Sequence, residues 1–213
     1  FTVVDGFFGR QEERRAQSVT VRFTYALTAS PAATCTVTYT VDATGVLRVA
    51  LDYEAAEGVS EMPDFAMLFT LSADYDRIRF YGYGPKENYI DRCEGARLGI
   101  YESTTADEVE PYLRPQETGN HRGVRWIEVK DRSGHGIRLA SDVPFEASAL
   151  PYSAHELENA RHAYDLPCPQ HTYLRASAGM CGVGGDDSWG APVLAEYVQK
   201  NETRHLAFTL KGI

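Results

Sequence analysis

Between residues 18 and 53 the apolar side chains fall on every second position in three successive runs. The runs are Val19, Val21, Phe23, Tyr25 and Leu27, then Cys35, Val37, Tyr39 and Val41, then Leu47, Val49, Leu51 and Tyr53. A period of two is that of a strand with one face buried, and a helix cannot sort such a pattern onto one side. The tetrapeptide Asp42–Ala43–Thr44–Gly45 between the second and third runs has turn chemistry, so these two form a hairpin. Further strands are expected at 65–71, 77–83, 124–130, 136–140, 171–177, 193–199 and 204–210. About ten strands with little else between them predict an all-β fold, a large antiparallel β-sandwich. One short helix is expected in 153–167. Ser153 and Glu156 form a capping box, Leu157, Ala160, Arg161 and Tyr164 share a face, and Pro167 ends the run.

The chain has 213 residues, 43% of them hydrophobic, enough for one substantial core. Residues 18–213 read as one domain behind a leading segment, 1–17, whose charged run Glu12, Glu13, Arg14 and Arg15 has no period. The segment 84–123 is too long for an ordinary sandwich connection and is expected to be a functional or interface-forming loop. Acids outnumber Lys and Arg by 30 to 21, giving a net charge of −9, which repels a phosphate backbone or an anionic bilayer. Neither nucleic acid nor membrane is therefore expected as a partner. No apolar run approaches the roughly 20 residues of a membrane span, and no signal-peptide pattern opens the chain. Since the sequence starts at Phe1 without a processing pattern, it reads as a piece of a longer polypeptide. Cys35, Cys93, Cys168 and Cys181 form no C-x-x-C pair, so reduced, mostly buried thiols in a cytoplasmic protein are expected.

The stretch GVGGDDSWG at 182–190 sets a large aromatic on a flexible, acidic platform. A phosphate cradle needs a lysine after its glycines, where Asp186 and Asp187 stand instead. An EF-hand calcium loop needs alternating oxygen ligands, which this run lacks. Ser188 lies between Asp187 and Trp189 rather than in a G-x-S-x-G elbow. At 155–159, HELEN departs from a zincin motif, because Asn159 stands where the second histidine is needed. His121, His135, His171 and His205 show no ligand spacing, and 30 acids allow no choice of a catalytic pair. Two readings of Trp189 remain open from chemistry alone, a sugar-stacking platform and a core residue in a tight turn. Trp126, inside the alternating VRWIEV, reads as core.

Three stretches in order, GYGPKENYIDR at 82–92, PYLRPQETGNHRGVRW at 111–126 and GVGGDDSWG at 182–190, resemble the C-terminal, small-chain domain of the bacterial β-galactosidases of glycoside hydrolase family 2. The resemblance extends over nearly all of 18–213, including FEASALPYSAHELENARHAYDLP at 145–167. It implies a supersandwich of the galactose-mutarotase-like kind, packed on a separate (β/α) barrel. In that family the barrel supplies both catalytic glutamates and the essential magnesium, so no catalytic residue, metal ligand or cofactor is expected here. Retaining hydrolysis needs two carboxyl groups about 5 Å apart, and by resemblance both lie on the barrel. This domain's implied contribution is Trp189, an aromatic platform for the aglycone, such as the glucose of lactose. Asp187 and Ser188 accompany it at the substrate, Gly184, Gly185 and Asp186 shape the loop, and Asp186 or Asp187 is expected to fix it by accepting backbone N–H groups. The implied partners are a galactoside reached through the complete enzyme, the catalytic barrel of the same chain or a partner subunit, and further copies in a homo-oligomer. Alone, the domain is expected to be inactive. Thr118 stands where the family often has asparagine. The rival readings are a standalone carbohydrate-binding module, which needs several exposed aromatics on one face, and an aldose-epimerase-like enzyme, which needs a histidine and a glutamate in one cleft.

Overall fold

The computed structural model of the protein describes residues 2–6, 17–27, 33–187 and 189–213. Among these are β1 (Thr2–Gly6), β2 (Ser18–Ala26), β3 (Thr34–Asp42), β4 (Leu47–Glu54), β5 (Asp64–Ser72), β6 (Arg77–Gly84), β7 (Arg97–Thr104), β8 (His121–Lys130), β9 (Gly136–Leu150), β10 (His171–Met180) and β11 (Arg204–Gly212). One α-helix, α1 (Ala154–Asn159), accompanies them. Every strand pairing is antiparallel. The fold is therefore the all-β, antiparallel architecture with one short helix that the alternation predicts.

The meander β2–β3–β4 follows directly from the sequence. Its even-numbered threonines meet outside, Thr20 with Thr40 at 3.0 Å and Thr24 with Thr36 at 3.3 Å, while Val37, Val49 and Leu51 face the core. Asp42 closes the hairpin by accepting the N–H groups of Thr44 and Val46, and Gly45 takes the required φ of +81°.

The sheet runs β1-β2-β3-β4-β11-β9-β8-β6-β7, and β10 joins β9 to β5. Strand β9 serves both layers of the sandwich. Gly136–Ala140 pairs with β8 and β11, whereas Glu146–Leu150 pairs with β10. Between them Pro144 offers no N–H to a ladder, and the register of β8 against β9 shifts there. The β5–β10 leaf thereby folds over the main sheet, with Phe69 edge-on to Phe208 at 6.0 Å and Tyr53 5.9 Å from Phe65. Val49, Phe80, Val124, Val129, Leu139, Leu174 and Ala176 are sealed between the layers. Each large side chain so buried contributes about 1.5–3 kcal/mol.

Several expectations are corrected. Residues 193–199 form no strand; a 3₁₀ turn occupies Ala195–Tyr197, with Pro192 ahead of it. Strand β7 lies within the supposed long loop, an edge strand whose Gly99 hides it from propensity and whose Leu98 and Ile100 face outward. The helix stops at Asn159 because Asp165 captures the N–H groups of Arg161 and His162, diverting them from helical carbonyls. Leu157 and Ala160 are buried, but Tyr164 is 82% exposed. Trp126 is not core. The register shift between Val124 and Trp126 turns it to the outer face, where Arg79 and Arg138 lie 5.7 and 4.5 Å from its ring centre. The four cysteines are unpaired as expected, but Cys35, Cys93 and Cys181 are only half-buried and Cys168 is exposed.

Candidate functional site

The outward face of β9 and β10 carries Glu146, Ser148, Arg175 and Ser177, yet all four are buried. The segment between β7 and β8 lies over them. The Arg175 guanidinium donates to Asp64 at 2.9 Å, Asn120 Oδ1 at 2.7 Å and Ser148 Oγ at 3.2 Å, and lies 3.5 Å from Glu117. Ser177 donates to the other oxygen of Asp64. Asn120 Nδ2 reaches Glu146 at 3.0 Å, and Arg122 Nε reaches its second oxygen at 3.2 Å. Burial pushes both Glu117 and Glu146 above the ordinary carboxylate range; Arg175 opposes this at Glu117, and Asn120 and Arg122 oppose it at Glu146.

Two of the stretches singled out in the sequence lock together above this layer. Asn88 N–H donates to the Asn120 carbonyl at 2.7 Å, Asn120 Nδ2 returns a bond to the Asn88 carbonyl at 3.0 Å, and Asn88 Oδ1 receives Arg122 N–H. Glu87 accepts from Gly119 N–H at 2.7 Å, Thr118 Oγ1 at 2.9 Å, Tyr112 and Arg92. The hydroxyl of Thr118 also accepts Glu110 N–H at 3.0 Å. Burial, followed by the bond to Glu87, pushes the Tyr112 phenol up to about 12. His121 Nε2 stands 2.6 Å from Glu108, with side-chain exposures of 3% and 6%. Its Nδ1 donates to the Tyr83 carbonyl, and its ring lies on Phe80. This is the one buried histidine–glutamate pair among the described residues, and it is closed to any substrate.

The tryptophan loop leaves β10 at Met180 and is tied down step by step. Cys181 N–H reaches the Pro63 carbonyl and Gly182 N–H the Tyr197 carbonyl, each at 2.9 Å. Gly184 N–H then donates to Asp91 Oδ2 at 2.8 Å. Gly184 and Gly185 turn the chain with φ of +68° and +89°, a region that costs a side chain about 1–2 kcal/mol. Asp187 Oδ1 accepts the N–H groups of Trp189 at 2.8 Å and Ala191 at 3.2 Å, fixing the loop's tip. Asp186 is exposed, and Ser188 lies outside the described residues. Trp189 is 90% exposed. The arrangement presents a bare indole on a pinned backbone, so the core alternative for Trp189 is excluded. Among the described residues no three His, Cys, Asp or Glu side chains are grouped to hold a metal ion, and no helix is long and apolar enough to cross a membrane.

Asp91 is the residue that sequence reasoning missed. It lies inside the quoted stretch 82–92, but nothing local marks its contact with a glycine 93 positions onward.

A family model described as the beta galactosidase small chain matches residues 4–210. A beta-galactosidase of Halalkalibacterium halodurans is 43% identical over 192 residues, 88% of this chain and 19% of that protein. A beta-galactosidase of Lactobacillus delbrueckii subsp. bulgaricus is 40% identical over 202 residues, 94% of this chain and 20% of that one. A beta-galactosidase small subunit of Latilactobacillus sakei is 38% identical over 207 residues, 92% of this chain and 64% of the subunit. The chain thus spans about a fifth of the length of the first two relatives. A solved galactose mutarotase related enzyme from Lactobacillus acidophilus aligns over 95% of this chain and 70% of that one, at 7% identity and a TM-score of 0.35.

Proposed function

Because the chain belongs to the beta-galactosidase small-chain family, we propose that it completes the aglycone side of a β-galactosidase active site. The reaction is retaining hydrolysis of terminal β-D-galactosides such as lactose. The catalytic glutamates and the magnesium lie on a barrel of the same chain or a partner subunit, in a cytoplasmic homo-oligomer. This chain supplies the platform. The observation that carries the reading is Trp189, held 90% exposed on a loop whose backbone is pinned at Gly182, Gly184 and Asp187. An indole offers a broad apolar face to the C–H side of a sugar ring, and its N–H remains free to donate. Asp187 acts through its two backbone bonds at the tip, with Ser188 beside the indole in sequence as the second candidate for a sugar hydroxyl.

The rival readings meet specific obstacles. A carbohydrate-binding module needs an aromatic strip, but the second tryptophan, Trp126, already lies against two guanidinium groups. An epimerase needs an open histidine–glutamate pair, and His121 with Glu108 is sealed.

The test is hydrolysis of a chromogenic galactoside and of lactose by this chain alone, by the enzyme truncated before it, and by the two mixed. Activity is expected only in the mixture. Ring stacking contributes on the order of 1 kcal/mol beyond the area buried, so Trp189→Ala should raise the lactose KM about fivefold. It should leave the melting temperature unchanged. Hydrolysis by the isolated chain, or an unaltered KM in the variant, would overturn the reading.

A further inference from the structure

Among the described residues the Trp189 loop has one side-chain anchor outside its own sequence, Asp91. Asp91 stands at the tip of a turn closed by paired bonds between Tyr89 and Arg92, at 3.1 and 2.9 Å. Tyr89 is buried, and the Arg92 guanidinium lies 5.3 Å from its ring centre while binding Glu87 and Tyr112. The turn therefore cannot shift without disturbing the network beneath it. From this base Asp91 Oδ2 receives Gly184 N–H, at the first residue of the loop with positive φ. A Cβ at Gly182 would lie 2.5 Å from the same oxygen and 3.0 Å from Tyr197 Cβ, so backbone, carboxylate and the returning end of the loop meet in one close contact. Asp91 Oδ1 is sealed from solvent and has no hydrogen-bond partner among the described residues. A carboxylate oxygen so placed costs stability.

We infer that Asp91 is a positioning residue for aglycone recognition: it fixes the origin of the loop and so sets where the Trp189 ring stands. The inference rests on the aglycone reading above. Asp91 does not touch substrate. Its effect passes through Gly184 and the turn that follows, so it is confined to substrates with an aglycone large enough to stack.

The experiment uses the complete β-galactosidase containing this chain, with lactose and methyl β-D-galactoside as paired substrates. Asp91→Ala should raise the lactose KM about two- to fivefold, with kcat within about twofold; the upper bound is the loss expected for Trp189→Ala, because the effect passes through that ring. Methyl galactoside kinetics should be unchanged. Asp91→Asn should recover most of the loss, since its amide oxygen still accepts Gly184 N–H. In combination with Trp189→Ala, Asp91→Ala should add nothing further. If Asp91→Ala does not accumulate as folded enzyme, Gly182→Ala, which forces the carboxylate off the loop, carries the same comparison. Wild-type lactose kinetics in Asp91→Ala, beside a raised KM in Trp189→Ala, would overturn the inference and leave the aglycone reading intact. Additive losses in the double variant, or equal losses on both substrates, would also overturn it. An unchanged KM in Trp189→Ala would remove the aglycone reading itself, and this inference with it.

Discussion

Replacing Glu87 by alanine tests whether the polar network holds this domain together. The carboxylate is 6% exposed and accepts from Gly119 N–H, Thr118, Tyr112 and Arg92 and, at 3.4 Å, from the Tyr89 hydroxyl. These donors do not lose equally, and the long bond from Tyr89 is the weakest of them. Arg92 is 46% exposed and rehydrates, and Thr118 turns its hydroxyl to the Glu108 carbonyl 3.3 Å away. Gly119 N–H is buried and finds no other acceptor, and the Tyr112 hydroxyl loses the carboxylate that accepts its hydrogen bond. A hydrogen bond to a charged group is worth about 1.5–3 kcal/mol, and two irreplaceable ones, less the relief of no longer burying a charge, leave about 3 kcal/mol. Urea unfolding of the chain, followed by far-ultraviolet circular dichroism, measures this directly. With a slope of about 2 kcal/mol per molar, the midpoint should fall by about 1.5 M with the slope unchanged. Glu87→Gln, which keeps an oxygen for Gly119, should lose about half as much. A midpoint shift in Glu87→Ala below about 0.3 M would refute the assignment of stability to this network.

Gly119→Ala should be as damaging by a different route. At a φ of +71° its added methyl would lie 2.7 Å from Leu150 Cδ2 and 2.9 Å from the Glu108 carbonyl oxygen. Backbone strain and overpacking together cost about 3 kcal/mol, read as a lowered melting temperature; an unchanged one would show that the loop yields freely. Glu146 gives a pH signature. Burial raises it above its ordinary value of 4.5, against the pull of Asn120 and Arg122, so the folded state holds its proton more tightly than the unfolded chain. The stability it contributes is fully present below the unfolded value and is lost as pH rises through the raised folded value. Between pH 4 and 7 the melting temperature of Glu146→Gln should therefore gain on that of the unsubstituted protein as pH rises, and parallel curves would contradict the assignment.

What a strand needs locally, the sequence by itself determined. Alternating burial in β2, β3 and β4 is written into neighbouring residues, as are the Asp42 turn and the Ser153–Glu156 cap, because each involves groups only a few positions apart. The glycines and Asp187 of the tryptophan loop were legible for the same reason, since their task is to turn and tie adjacent backbone. Strand β9 was only half visible, because past Pro144 both of its faces are covered and the period that marks a half-buried strand vanishes. One shifted register in β8 was enough to turn Trp126 from the core to the surface, against its alternation. The polar network was invisible in advance, since Arg175, Asn120 and Asp64 come together only when segments 55 and 111 positions apart meet. The exposure of Trp189 and the grip of Asp91 on its loop were likewise tertiary decisions. A side chain's type is carried by the sequence, but its partner across 93 residues is chosen by the packing of two layers.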